Sequence, residues 1–456
     1  MSTVRVQDDL FHYVNGEWIE KAVIPADKAR IGGFETLADD VEKLLIAELN
    51  EMCEKDAYPD EYLKNACALY KALKDTKRRS REGIRPVLKP LAKIRGLKDL
   101  SSFHRSLKEF VLCDYPLPFA IDVETDMKNT DRHCIYLQGP STILPDVTYY
   151  KGPQKDAMLG LWSSMAAAVL AKTRLGAEEQ ALYLQDTLLF DEKIAGLVKS
   201  SEEWSEYAKI YNPMKLRTVS SLLKPVRFRK LLKDLFGEVP EEIIVADPRF
   251  LKGFKTLFSE ENFEEYKHWA YVTLLLSSTG FLSETLREMG GRFSRALMGT
   301  EAPPSVEKYA FRLVSALYSE PLGLYYGRKY FGEEAKKDIT ELTVEVIEKY
   351  KERIRKNPIL SEETKDKAVL KLSTIAVKMG YPDKVRPLYD LFVIDESASV
   401  FQNVTTLSRI RREERFARLG RPVDHSEWNM PGHMVNASYD PFKNDVTFPA
   451  AILQAP

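Results

Sequence analysis

The sequence is poor in the residues that carry metal and redox chemistry. It has six histidines and four cysteines among 456 residues. No two histidines are separated by three residues, so it lacks the pair of zinc ligands that a helix presents one turn apart. No Cys-x-x-Cys pair occurs, which argues against a zinc knuckle and a thioredoxin-type motif. We therefore predict no metal site and no metal ligand in this chain. His425 and His433 are expected to have surface or capping roles.

Long apolar runs and an excess of charge of one sign are also missing. No apolar run reaches the roughly 20 residues of a membrane span, and the opening MSTVRVQDDL has no apolar signal-peptide core. The formal net charge is −1, which gives no reason to expect nucleic acid or an acidic membrane as a partner. The basic run at residues 77–81 is surrounded by acidic residues and favours a solvated helix end.

Several catalytic signatures are absent as well. The sequence contains no Gly-rich phosphate loop, no dinucleotide fingerprint and no Gly-x-Ser-x-Gly elbow. What remains is an ordinary composition, 44% apolar and 30% charged, with enough length for roughly two or three domains. We expect the four cysteines to be mostly buried free thiols; they are Cys53, Cys67, Cys113 and Cys134.

Helical periodicity dominates from about residue 36 to about residue 375. One apolar face is formed by Leu37, Val41, Leu44, Leu45, Leu49 and Met52, at spacings of three and four. A second helix is predicted to begin after Asp60. Near the far end, Ser361 is a good N-cap for a helix that we expect to continue to Met379 and to stop at Gly380.

The two ends of the chain are less regular. Residues 434–439 and 446–448 read as extended segments around a turn that contains Asp440 and Asn444. The apolar run at residues 450–453 comes last, and we expect it to be covered by other polypeptide, since bare apolar surface is costly. Residues 8–35 are rich in aromatic side chains, which we expect to pack against a domain formed much later in the sequence.

The C-terminal stretch VNASYDPFKNDVTFPAAILQAP resembles the segment before the zinc-binding helix of the neprilysin-like metallopeptidases. That family includes neprilysin, the endothelin-converting enzymes and the bacterial oligoendopeptidase O enzymes. The matching positions are Val435, Asn436, Ala437, Tyr439, Asn444, Phe448, Pro449, Ala450, Ile452, Leu453 and Gln454. Ser438 stands where an aromatic residue is usual, and the sequence reaches Pro456 without the family's His-Glu-x-x-His helix.

Other parts of the chain carry the same resemblance. The opening is similar to the family's Tyr-Val-Asn-Gly-x-Trp and Ile-Pro pattern, at residues 13–18 and 24–25. Residues 30–35 resemble Arg-x-Gly-x-Phe-Asp, with Glu35 in place of the Asp. Weaker matches lie between, as in the Leu-Pro-Asp of residues 144–146 and the Gly-Tyr-Pro-Asp of residues 380–383.

The resemblance implies a mostly α, two-lobed fold. A large helical lobe roofs the active-site cavity, and the first, β-containing part of a thermolysin-like catalytic lobe follows it. The implied division is an N-terminal segment at residues 1–35 that packs on the catalytic lobe, a helical lobe at 36–379, and the incomplete catalytic lobe at 380–456. The start of the chain suggests a cytoplasmic enzyme of the bacterial type.

The resemblance also assigns substrate-binding residues. Asn436 and Ala437 match the pair that grips the peptide main chain of the substrate, as an added strand on a sheet edge. Phe34 and Ile452 align with the lining of the S1′ pocket, and Arg30 aligns with an arginine placed toward S2′. The alternatives are a strand end for Asn436, plain core for Phe34 and Ile452, and a solvated charge for Arg30.

The function that follows is the N-terminal portion of a zinc metalloendopeptidase that hydrolyses oligopeptides. No catalytic residue is expected in this chain. Zinc and the general base are expected in the family's C-terminal portion, present as a complementary polypeptide or lost. The alternative is an inactive peptide-binding or scaffold protein derived from the same family.

Overall fold

Residues 4–454 are described by a computed structural model and form 20 α-helices and seven β-strands. The first ten helices are α1 (Leu10–Lys21), α2 (Gly33–Lys55), α3 (Glu61–Lys74), α4 (Thr76–Glu82), α5 (Arg85–Arg95), α6 (Leu100–Leu112), α7 (Lys155–Leu170), α8 (Ala177–Ala195), α9 (Ser201–Ser205) and α10 (Leu216–Leu222). The others are α11 (Phe228–Phe236), α12 (Pro248–Leu257), α13 (Phe263–Ser278), α14 (Glu284–Gly290), α15 (Arg292–Met298), α16 (Val306–Leu317), α17 (Ser319–Tyr326), α18 (Gly332–Arg355), α19 (Glu362–Ser373) and α20 (Val400–Phe416). The prediction of a mostly α protein is confirmed.

The strands form two small sheets. They are β1 (Ala120–Asp126), β2 (Asn129–Gln138), β3 (Pro213–Lys215), β4 (Glu242–Val245), β5 (Ala376–Gly380), β6 (Ser438–Asp440) and β7 (Asp445–Pro449). The first sheet has the order β1-β2-β4-β3 and the second the order β5-β7-β6. Short 3-10 helices include Pro387–Leu391 and Ala450–Leu453; we call the second one the terminal 3-10 helix.

The predicted apolar face of α2 is buried, and the two predicted N-caps lie at the beginnings of helices. On α2, the side chains of Val41, Leu45, Leu49 and Met52 are buried. The Asp60 side chain accepts a hydrogen bond from the backbone N–H of Leu63 at 2.8 Å and so caps α3. Ser361 caps α19 in the same way, through the N–H of Thr364.

The predicted continuation of α19 to Met379 is wrong. The helix ends at Ser373, and residues 376–380 are strand β5. Its backbone pairs in parallel with β7, with Lys378 opposite Thr447. This pairing overrides the helical spacing because it satisfies the strand's hydrogen-bonding groups along a neighbour 69 residues away.

Two hydrophobic cores hold the chain together. The first lies among α5–α15 and contains an aromatic cluster at Phe103, Phe254 and Phe258. The second joins side chains of α2, α3, α16 and α17 to residues 381–407 and to Ala450 and Ala451. The second core therefore includes residues from both sides of position 380, while the division at 35/36 and 379/380 stays a prediction.

The N-terminal segment is anchored through residues 26–28, where Lys28 also pairs with Asp39 of α2. The Ala26 carbonyl accepts hydrogen bonds from the N–H groups of Glu301 and Ala302, both at 2.9 Å, and Asp27 pairs with Lys308 at 2.7 Å. None of the α1 side chains is buried among residues 4–454. The packing of its aromatic residues against a later domain stays a prediction. No helix in the described part of the chain has the length and apolar character to cross a membrane.

Candidate substrate-binding site

Asn436 and Ala437 lie directly before an edge strand. Strand β6 pairs with β7 on one side only, in an antiparallel register that places Tyr439 opposite Val446. Its other edge has no strand partner among residues 4–454. An open edge of this kind can accept an extended peptide as a further strand. The predicted turn between the extended segments is confirmed, because the Asp440 side chain accepts from the N–H of Phe442 at 2.8 Å and Asn444 has a φ of 47°.

The amide of Asn436 is held in one orientation. Its side-chain oxygen accepts a hydrogen bond from the backbone N–H of Ala437 at 2.8 Å. The residue is exposed, and the side-chain nitrogen has no hydrogen-bond partner among the described residues. The group offered outward is thus the NH₂, which donates two hydrogen bonds.

A buried ion pair joins two neighbouring strands of this sheet. Lys378 on β5 pairs with Asp445 on β7, and both side chains are almost fully buried, at 6% and 1% exposed. The Lys378 ammonium also donates to the carbonyl of Glu427 at 2.7 Å. This contact ties the sheet to the loop that leads toward Asn436.

The loop before Asn436 is packed tightly against α17. A Cβ added to Gly432 would lie 2.6 Å from the carbonyl oxygen of Gly323, too close for any larger residue. His433 bonds the Ser315 hydroxyl at 2.7 Å, and burial lowers the pKa of His433 to about 4. This histidine is neutral at pH 7 and structural. The residue as a whole is half-buried, but its Nδ1 is buried and its Nε2 bonds Ser315, so its predicted surface or capping role is wrong. His425 lies opposite Asp131 at 3.1 Å.

Arg30 and Phe34 lie at the beginning of α2. The Phe34 side chain is 67% exposed among the described residues. Arg30 is 83% exposed at its side chain and pairs with Glu35 at 2.6 Å. An ion pair at such exposure contributes little to stability.

Ile452 lies half-buried in the terminal 3-10 helix. The N–H of Ala451 donates to the Gly432 carbonyl at 3.0 Å, which fixes this helix beside the loop before Asn436. The structure thus places Asn436, Ala437 and Ile452 close to the same sheet. Asn436 and Ala437 lead into β6, and Ile452 follows β7, which continues directly into the terminal 3-10 helix. Arg30 and Phe34 belong to a separate element, although the body of α2 packs against that 3-10 helix.

A cavity of about 980 Å³ lies between the two sheets. One wall is β1 and β2, a second is α20, and the third is formed by residues 421–429 and 440–443. Asp440 of the edge strand lines it, whereas none of the five predicted site residues does. Its volume is that of a site for a sizeable ligand.

Ion pairs line this cavity. Arg415 on α20 pairs with Asp122 on β1 at 2.5 Å, and Arg418 bonds both Glu414 and Glu427. Burial and the neighbouring Asp122 raise the pKa of Glu124. Burial and Lys378 lower the pKa of Lys443 on the third wall.

The sequence-based predictions missed α20 and its arginines. The segment reads RIRREERFARLGR at residues 409–421, and Arg411, Arg415 and Arg418 recur at spacings of four and three. That spacing places Arg411 and Arg415 on one face of α20, and Arg418 lies two residues past the end of the helix and also lines the cavity. The helix begins at a capping box, in which Ser399 and Gln402 bond each other's backbone N–H groups. Both signals were present in the sequence.

The described residues do not fit a zinc ion. No group of three or more His, Cys, Asp and Glu side chains within residues 4–454 is arranged to hold a metal. A zinc site needs three or four such donors around one point.

Comparison with known proteins identifies the family. The model of "Peptidase family M13" matches residues 6–382. A neutral endopeptidase of Lactobacillus helveticus is 40% identical over 452 residues, which are 99% of this chain and 70% of that protein. The crystal structure of PepO from Lactobacillus rhamnosis HN001 superposes with a TM-score of 0.93 at 34% identity, covering 99% of this chain and 72% of that one.

A second solved structure is also similar. The Mycobacterium tuberculosis zinc metalloprotease Zmp1, in complex with an inhibitor, gives a TM-score of 0.89 at 26% identity and covers 100% of this chain and 69% of that one. The resemblance to the neprilysin-like enzymes, drawn from the two ends of the sequence, is confirmed. The chain belongs to peptidase family M13.

Proposed function

We propose that this chain is the substrate-binding and cavity-forming part of a zinc metalloendopeptidase that cleaves peptide bonds in oligopeptides. Membership of peptidase family M13 supports the reaction class. The open edge of β6, with Asn436 and Ala437 before it, is the observation that carries the binding role. Backbone pairing along such an edge works for peptides of many sequences, which suits an enzyme that cleaves varied substrates.

Asn436 is proposed to donate its side-chain NH₂ to a carbonyl of the bound peptide. The Ala437 N–H already holds the Asn436 oxygen, so the amide needs no reorientation when substrate arrives. An interaction whose geometry is fixed beforehand costs little ordering on binding. The carbonyl of Ala437 is proposed to complete the contact with the substrate main chain.

Phe34 and Ile452 are proposed as part of an S1′ wall that takes large apolar side chains, with Arg30 toward S2′. The high exposure of Phe34 supports this role, because an aromatic ring left in water is available to a ligand. Arg30 would exchange its contact with Glu35 for a carboxylate or carbonyl of the peptide.

Zinc and the general base are proposed to come from a complementary C-terminal polypeptide that carries a His-Glu-x-x-His helix. The described residues offer no donor set of their own. Three helices of 12 or more residues have no buried side chain within residues 4–454, namely α1, α18 and α19. Their exposed apolar residues include Phe11, Val14, Trp18, Leu342, Val346, Tyr350 and Leu370. Such apolar faces are what a further packed domain would cover.

We also propose a cytoplasmic location. The four cysteines are free thiols, the usual state in a reducing compartment.

The test uses this chain mixed with the C-terminal polypeptide. Peptide cleavage should appear only in the mixture, and Asn436→Ala should reduce kcat/KM by about ten- to a hundredfold, equivalent to roughly 1.5–3 kcal/mol. Asn129→Ala is the matched control, because Asn129 is an exposed asparagine at the start of β2 and away from the edge strand. Equal kinetics for the Asn436 and Asn129 variants would refute the role given to Asn436.

The second candidate is an inactive peptide-binding protein. It is favoured by the combination of an open strand edge and the lack of metal donors among residues 4–454. Binding of peptides by the chain, without cleavage in the mixture, would select this function over the first.

A further inference from the structure

Two of the four cysteines lie side by side. Cys53 is in the last turn of α2 and Cys67 is in the middle of α3, 14 residues further along the chain. The Cys53 thiol donates to the backbone carbonyl of Cys67, with 3.9 Å between sulfur and oxygen. Cys67 is fully buried, whereas Cys53 is half-buried and reachable from solvent.

The surroundings of Cys53 favour its thiolate. The neighbouring Cys67 side chain lowers the pKa of Cys53, and the nearby ammonium groups of Lys71 and Lys74 lower it further, although burial and Asp56 oppose them. The neighbouring Cys53 side chain and burial raise the pKa of Cys67. The thiolate is the form that reacts with oxidants.

The other two cysteines provide a contrast within the same chain. Cys113 and Cys134 are also half-buried. Burial raises the pKa of Cys113, and burial with Asp126 raises that of Cys134 to about 12. Both stay protonated at pH 7 and are expected to be inert. Exposure alone therefore does not distinguish Cys53; its charged neighbours and its thiol partner do.

We propose that Cys53 and Cys67 are a redox modification site that closes to a disulfide when the protein meets hydrogen peroxide. The Cys53 thiolate attacks one peroxide oxygen, which gives a sulfenic acid and releases hydroxide. The Cys67 sulfur then attacks the Cys53 sulfur, forms the S–S bond and expels the oxygen as water, with the Cys67 proton. In total, two thiols and one peroxide give one disulfide and two waters.

The cross-link would join the end of α2 to α3 and close the loop between them. Closing a loop restricts the unfolded chain and raises stability. Helix α2 also packs against the terminal 3-10 helix. The disulfide would therefore make α2, against which that 3-10 helix packs, more rigid. The site is independent of the peptidase reaction proposed above.

The experiment treats the intact chain with a small excess of hydrogen peroxide at pH 7. Titration of free thiols is expected to fall from four to two, with peptide mapping by mass spectrometry showing a 53–67 link. The melting temperature is expected to rise and to return on reduction with dithiothreitol. Cys113→Ser should still form the link, whereas Cys53→Ser should keep its remaining three thiols and its melting temperature.

Two results would overturn the proposal. One is a loss of Cys113 or Cys134 before Cys53 in the wild-type chain. The other is oxidation of Cys53 that stops at sulfenic or sulfinic acid with Cys67 still free. Both are read on the wild-type protein, so neither depends on the folding of a variant.

Discussion

Replacing Lys378 by Met is expected to destabilise the chain by about 3–5 kcal/mol. The substitution removes the partner of Asp445, whose side chain is 1% exposed. One Asp445 oxygen already has no hydrogen-bond partner among the described residues, so the substitution would leave a buried carboxyl group without its partner cation. The Glu427 carbonyl would lose its donor as well, which adds roughly 1 kcal/mol.

The assay is urea unfolding followed by circular dichroism, with the free energy of unfolding taken from the linear extrapolation. Lys349→Met is the control, because Lys349 pairs with Glu352 at 3.1 Å on the exposed face of α18; that change should cost less than about 0.5 kcal/mol. A second variant, Lys378→Met with Asp445→Asn, should recover much of the loss, since it removes the uncompensated charge. A loss below about 1 kcal/mol for Lys378→Met, with no gain in the double variant, would refute this reasoning.

Three further predictions concern other sites. Burial raises the pKa of Asp191 to about 6. The stability of the wild type relative to Asp191→Asn should therefore be greatest below pH 4, near the pKa of the unfolded chain, and should fall by roughly 3 kcal/mol as the pH rises through 6. A stability difference between the two proteins that stays constant from pH 4 to 7 in urea unfolding would contradict this. Gly432→Ala should lower the melting temperature, because its Cβ would lie 2.6 Å from the Gly323 carbonyl; an unchanged melting temperature would mean that the loop can move away. Phe34→Ser should leave the melting temperature unchanged, since the ring is 67% exposed, but should raise KM for substrates with a large apolar residue after the cleaved bond; a KM equal to that of the wild type would remove Phe34 from the S1′ wall.

Local signals in the sequence predicted much of the fold. The apolar spacing of α2 predicted which side chains are buried, and the caps Asp60 and Ser361 predicted where two helices begin. The turn residues Asp440 and Asn444 predicted the β6–β7 hairpin. Each of these features depends on residues that are close together in the sequence, so it can be predicted from the sequence alone.

Long-range pairings were not accessible in the same way. Residues 375–379 have a helical spacing, and only their pairing with β7 makes them a strand. The contact between Lys378 and Asp445 joins residues 67 apart, and no local pattern marks either as buried. The cavity beside α20 depends on the way in which two sheets and a helix meet. The binding residues came from the family resemblance, and their roles stay predictions.

The central claim is that this chain binds the peptide while zinc and the base come from another polypeptide. Native mass spectrometry with metal analysis tests it directly, on the chain alone and after addition of a C-terminal polypeptide that carries the His-Glu-x-x-His helix. The account predicts a metal-free, inactive chain of 52.2 kDa and a one-to-one complex that holds one zinc and cleaves peptides. Stoichiometric zinc and peptide cleavage by the chain alone would contradict it.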